Sequence, residues 1–95
     1  MAVLVVFRTE GDPEELLARY DQTLVDAVST APARPEAHYC VATDSGMMIV
    51  DVWASRADLQ RAVIENEDFQ AKWRAAGWPE ETFEVFELHN SGWPA

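Results

Sequence analysis

One carboxylate stands out by its neighbours. Asp51 sits inside the apolar run Met47 to Trp53, sharing one side of a strand with Ile49 and Trp53. A carboxylate in that setting either rises in pKa and works as a proton acceptor, or pairs with a cation; Arg8 and the histidines are the available partners. His38 and His89 are the only histidines. Each titrates near neutrality and suits removal of a proton from a phenol-like substrate, and each equally suits a hydrogen bond to a carbonyl or water at a strand end. Trp53 reads as an apolar wall beside these groups or as the anchor of a subunit interface. Glu87 reads as a site carboxylate or as a charge guarding an edge strand. Cys40, the only cysteine, lacks a sequence-local activator and reads as a small buried hydrophobe. The two histidines and the scattered carboxylates lack the close spacing of a metal cage, and no glycine-rich phosphate loop appears, so neither metal nor cofactor is expected.

The elements that must position these groups follow from pattern. Ala2 to Arg8 is rich in valine and ends at Thr9, Gly11 and Pro13, which argues for a buried strand. Asp12 as N-cap, Pro13 at the first helical position and Glu15 three residues past the cap open a helix whose apolar stripe is Leu16, Tyr20, Leu24 and Val28. Pro32 and Pro35 close it. Tyr39–Thr43 and Met47–Trp53 are strands joined across Asp44, Ser45 and Gly46 as a hairpin. Ser55 caps a second helix with Asp58 at N3, and Asn66, followed by Glu67 and Asp68, starts a separate helical segment that ends at Gly77 and Pro79. Thr82 to His89 is the last strand, and residues 90–95 form an irregular tail.

This order predicts an α+β fold, a ferredoxin-like βαββαβ domain spanning residues 1–95. Its four-stranded antiparallel sheet has the order 4-1-3-2, with the helices on one face. An even-length hairpin loop, such as Ser45-Gly46, puts His38 and Cys40 on the same face as Asp51 and Trp53; an odd loop would reverse this, and the even one is preferred because it gathers apolar residues on one face and titratable ones on the other. Met48, Val50, Val52, Tyr39, Val41, Phe86 and Leu88 are then assigned to the helices. Met47, Ile49, Asp51, Trp53, Val85, Glu87 and His89 are assigned to the bare face. The first strand is apolar on both sides, so the bare face calls for a cover. A second subunit laid sheet to sheet would bury it and enclose a cavity between the sheets. In this reading Asp51, His38 and His89 are the candidate catalytic residues, and Trp53, Ile49, Met47, Cys40 and Glu87 contact the substrate.

At 95 residues, with 48% hydrophobic and 25% charged residues, the chain has the composition of one small folded domain. The net charge of -10 repels phosphate backbones and anionic lipid, so neither nucleic acid nor a membrane surface is an expected partner. A single cysteine and an N-terminal apolar run stopped early by Arg8 point to a cytoplasmic protein.

The stretch Val50-Asp51-Val52-Trp53-Ala54-Ser55-Arg56, the helix after it, and Asp68-Phe69-Gln70-Ala71-Lys72-Trp73 resemble the antibiotic biosynthesis monooxygenase family of the dimeric α+β barrel superfamily. The resemblance implies a ferredoxin-like subunit, a homodimer joined through the sheet faces, and Trp53 as the cavity-side tryptophan. The axial histidine of the haem-degrading branch falls at Trp73, whose indole cannot ligate iron. The amide of the polyketide-oxidising branch falls at Ile49. What the family implies is a small monooxygenase acting without a cofactor on an aromatic or polyketide-like ligand, bound in a cavity between the sheet and either its helices or the dimer partner. The alternative from another class is a non-enzymatic dimeric module of the same fold, its cavity filled by its own side chains or holding a small ligand.

Overall fold

The computed structural model describes residues 1–28, 31–79 and 81–92. The expected tail falls partly outside that set, at 93–95. Strand β1 (Val3–Glu10) leads into helix α1 (Pro13–Val28), then β2 (Ala37–Thr43) and β3 (Gly46–Trp53). Helices α2 (Arg56–Leu59) and α3 (Glu67–Ala75) and strand β4 (Glu81–Glu87) complete the order. The sheet runs β2-β3-β1-β4, all antiparallel, as the pattern predicts.

The helix starts are those the caps require. Asp12 Oδ2 accepts from the Glu15 N–H at 3.0 Å, Ser55 Oγ from Asp58 at 3.1 Å and Asn66 Oδ1 from Phe69 at 3.1 Å, each satisfying a donor with no partner in the first turn. Between α2 and α3 the chain widens into a π turn over Gln60–Ile64, closed by the Glu65 N–H on the Gln60 carbonyl at 2.7 Å. Gly77, with φ 76°, supplies the left-handed residue that ends α3. The hairpin loop is even-numbered, but it is Asp44-Ser45, with Thr43 opposite Gly46. Gly46 lies tight against β1: a Cβ there would stand 2.0 Å from the Thr9 carbonyl oxygen.

The grouping of side chains by face holds, and the assignment of the faces is inverted. The helices cover Val3, Val5, Phe7, Met47, Ile49, Asp51 and Trp53, which form the buried layer with Leu16, Leu59 and Ala62. Each large apolar side chain so buried contributes about 1.5–3 kcal/mol. Leu4, Val6, Met48, Val50 and Val52 lie on the bare face with Tyr39, Val41 and Phe86, and these last three are exposed. The physical reason is charge parity. Arg8 and Glu84 alternate onto the bare face, where they bond each other at 2.8 Å in water, and the opposite arrangement would bury both. Among the described residues no helix is long and apolar enough to cross a membrane.

Candidate functional site

Register places the site. His38 on β2 lies directly opposite Asp51 on β3, and Asp51 lies opposite Val5 of β1, the fully buried centre of the sheet. Asp51 is therefore 5% exposed, too deep for its charge to be met by water. Two donors meet it instead. His38 Nδ1 is 2.6 Å from Oδ1, and Trp53 Nε1–H donates to Oδ2 at 3.3 Å. The expected pairing of Asp51 is thus with a histidine, while Arg8 is on the other face.

The chain of hydrogen bonds continues outward. His38 Nε2 bonds the hydroxyl of Tyr20, on α1, and the two rings stack with centroids 5.9 Å apart. The bond to the Asp51 carboxylate raises the His38 pKa, burial works against it, and the carboxylate's charge adds to the rise. The Tyr20 hydroxyl is pushed up to about 12, first by burial and then by the charges of Cys40, Asp51 and Asp21. Because an ionised carboxylate only accepts, neutral imidazole carries its proton on Nδ1, and the lone pair on Nε2 accepts from the neutral phenol. Trp53, Asp51, His38 and Tyr20 thus form one line from the core toward the surface.

Three members of the line, His38, Asp51 and Trp53, flank a cavity of about 450 Å3 between sheet and helices, and Tyr20 stands behind His38, off the cavity wall. His38, Asp51, Trp53 and Ile49 contribute to its wall, Val63 and Ala62 reach it from the π turn, and Phe69 and Trp73 from α3. Phe69, Trp73 and Trp78 stack in series, with centroids 5.4 and 4.5 Å apart, an aromatic layer on the helix side. Arg34 and Pro35 line it from the segment before β2, and Glu81 from β4.

The cavity therefore lies within the single chain, between sheet and helices, one of the two places expected for it, and the candidate residues expected on the bare face are on the helix side. The candidate residues divide accordingly. Asp51, His38, Trp53 and Ile49 come together on its wall. Met47 is packed into the core and Cys40 lies partly buried against it; neither lines the cavity, and burial raises the Cys40 thiol pKa, which leaves it a poor nucleophile. Glu87 and His89 are exposed, Glu87 at the last position of β4 and His89 beyond it, because β4 ends earlier than expected. Sequence reasoning missed Tyr20 and Glu81. Tyr20 reads as one member of an apolar stripe, yet a tyrosine on a core-facing stripe needs a partner for its hydroxyl, which is the signal that finds it. Among the described residues no group of three or more histidines, cysteines and carboxylates is placed to hold a metal ion.

No family model matches the chain, and no curated protein matches it. Its fold is similar to that of SnoaB, a cofactor-independent oxygenase from Streptomyces nogalater, with a TM-score of 0.65 at 16% sequence identity over 95% of this chain and 93% of that chain. A crystal structure of a SnoaB variant matches over the same shares at a TM-score of 0.64 and 16% identity. The likeness establishes a shared fold across nearly the full length of both chains.

Proposed function

We propose that the chain is a small oxygenase that needs no cofactor, acting on an electron-rich aromatic ligand held in the helix-side cavity. The observation that carries this reading is the pairing of half-exposed His38 with buried Asp51 on the wall of an apolar cavity wide enough for a multi-ring molecule. The resemblance to the antibiotic biosynthesis monooxygenase family and the fold shared with SnoaB support it.

Asp51, held by two donors, orients the imidazole. His38 is the base, and a ligand proton arriving at Nε2 displaces the Tyr20 hydroxyl from it. An acidic CH2 of an anthrone-like ligand gives its proton to Nε2 and becomes a carbanion. The carbanion transfers electrons to dioxygen, a C–O bond forms, and the hydroperoxide takes a proton back. Loss of water then leaves a ketone, so that CH2 and O2 become C=O and H2O. The aromatic layer of Phe69 and Trp73 covers the helix side of the cavity and shields that side of the anion from bulk water. The open volume favours this over a module whose cavity is filled by its own side chains.

We also propose that two copies associate through the bare sheet face, where Tyr39 is 62% and Phe86 48% exposed beside Leu4, Val6, Val50 and Val52. The site itself is complete within one copy. Dioxygen uptake with hydroxyanthrone-type or dihydroquinone substrates tests the activity. The wild-type protein should consume dioxygen, His38→Ala should lose nearly all of the rate, and Asp51→Asn should keep a small part of it. Equal rates in the three proteins would end the assignment.

A further inference from the structure

The cavity has a second polar end that the proton-transfer step does not use. Glu81 begins β4, opposite Thr9 of β1, and both side chains turn to the helix-covered side. Thr9 is buried, and its hydroxyl donates to Glu81 Oε2 at 3.3 Å. Glu81 is partly buried and lines the same cavity as His38 and Asp51. Burial raises its carboxyl pKa, and the Thr9 hydroxyl lowers it again in part. Among the described residues no cationic side chain pairs with it. A carboxyl held by one hydroxyl and turned to an apolar cavity retains acceptor capacity that the protein leaves unused.

The separation is set by register. Thr9 stands four residues along β1 from Val5, which marks the level of Asp51 and His38, a rise of about 13 Å. His38 and Glu81 are on opposite edge strands, so their backbones lie roughly 20 Å apart on the diagonal. Two side chains and two hydrogen bonds occupy about half of that, leaving on the order of 10 Å between the polar groups of a ligand that touches both. Phe7 and Ile49, opposite each other in the sheet, provide apolar wall between the two ends.

We propose that Glu81 is a specificity-determining residue: it anchors a neutral hydroxyl at the end of the ligand remote from His38, and it rejects ligands that carry a carboxylate there. The inference rests on the helix-side cavity being the ligand site, and it is independent of whether the bound ligand is oxidised. A ligand hydroxyl donating to a carboxylate in such surroundings strengthens binding by about tenfold or more. Above the raised pKa of Glu81, a ligand carboxylate meets a like charge in low dielectric and loses affinity.

The test is binding without turnover. Quenching of tryptophan fluorescence, which Trp53 and Trp73 on the cavity wall should report, is followed under argon. The probes are 2-hydroxyanthracene, 2,6-dihydroxyanthracene, whose two oxygens stand about that ligand distance apart, and 6-hydroxyanthracene-2-carboxylate. The wild-type protein should bind the dihydroxy probe about tenfold more tightly than the monohydroxy probe, and the carboxylate more weakly than either. Glu81→Leu should abolish the advantage of the second hydroxyl, leave the monohydroxy probe unchanged and bind the carboxylate better than wild type. Thr9→Val, which removes only the hydroxyl that orients the carboxyl, should give a smaller loss of the same sign. Equal affinities for the two hydroxylated probes, a uniform loss for all probes in Glu81→Leu, or no binding of any probe by the wild type would each overturn the proposal. Dioxygen uptake is scored separately. An inactive protein that still shows the Glu81-dependent preference keeps the anchor and loses the oxygenase, and an active protein without the preference does the reverse.

Discussion

Replacing Asp51 by asparagine sets three effects against one another, and their sizes decide the sign. The carboxylate accepts from His38 Nδ1 at 2.6 Å and from Trp53 Nε1 at 3.3 Å. An amide has one oxygen for those two donors, and its NH2 is turned toward the other, a buried unmet donor that costs about 1–3 kcal/mol. The bond to His38 changes from charge-assisted to neutral, a further loss of about 1 kcal/mol. Against this, the variant no longer desolvates a charge, which recovers part of a penalty of several kcal/mol. That recovery is limited because the His38 side chain is 31% exposed and water already reaches one side of the pair. The net expectation is that Asp51→Asn loses about 2 kcal/mol at pH 6.

The pH dependence follows from His38, whose folded pKa is raised above 6.5, chiefly by the bond to Asp51. Its contribution is fully present below the unfolded value of 6.5 and is lost as the pH rises through the elevated folded value. The gap between wild type and Asp51→Asn should therefore narrow as the solution becomes alkaline. Urea unfolding followed by circular dichroism at pH 6 and pH 9 measures it. A variant more stable than wild type at pH 6, or a gap that widens toward pH 9, would refute the account of the pair.

Three further outcomes are expected. Alkaline difference spectra should show a tyrosine ionising near pH 12, absent in Tyr20→Phe, and its raised pKa should make the folded state lose stability between about pH 10 and 12. Gly46→Ala, whose Cβ would meet the Thr9 carbonyl at 2.0 Å, should cost about 3 kcal/mol by urea unfolding or shift the hairpin; an unchanged midpoint would contradict the close approach of β3 to β1. Val50→Asp on the bare face should give a folded monomer in sedimentation, whereas Trp53→Asp, now placed in the helix-side core, should unfold the protein; a wild-type monomer would remove the dimer proposal and leave the site intact.

Much of the fold was legible because local chemistry and pattern agree. Asp12, Ser55 and Asn66 announce three helix starts, and the period of two in β3 and its hairpin partner announces which residues share a face. The union of His38, Asp51 and Trp53 follows from hairpin parity alone. The helices meet the opposite face from the one expected, because the purely apolar set Met48, Val50 and Val52 was assigned to them and the set containing Asp51 to the bare face. Hydrogen bonds from His38 and Trp53 make the burial of Asp51 tolerable, and the informative charges are Arg8 and Glu84, which no buried layer could satisfy at those positions. Tyr20 and Glu81 were hidden for a different reason. Each becomes a site residue only through a partner distant in sequence, 18 residues away for Tyr20 and 72 for Glu81, and spacing along the chain carries no trace of such a meeting.

The claim that His38 removes the ligand's proton inside the helix-side cavity is tested most directly without dioxygen. A hydroxyanthrone mixed anaerobically with the protein should give the absorption of its bound anion, one per site. The anion fraction should rise with pH through the elevated pKa of His38. His38→Ala should bind the same ligand in its neutral form and show no anion. An anion of equal yield in His38→Ala, or a ligand that stays neutral in the wild type at every pH while dioxygen is still consumed, would contradict the account.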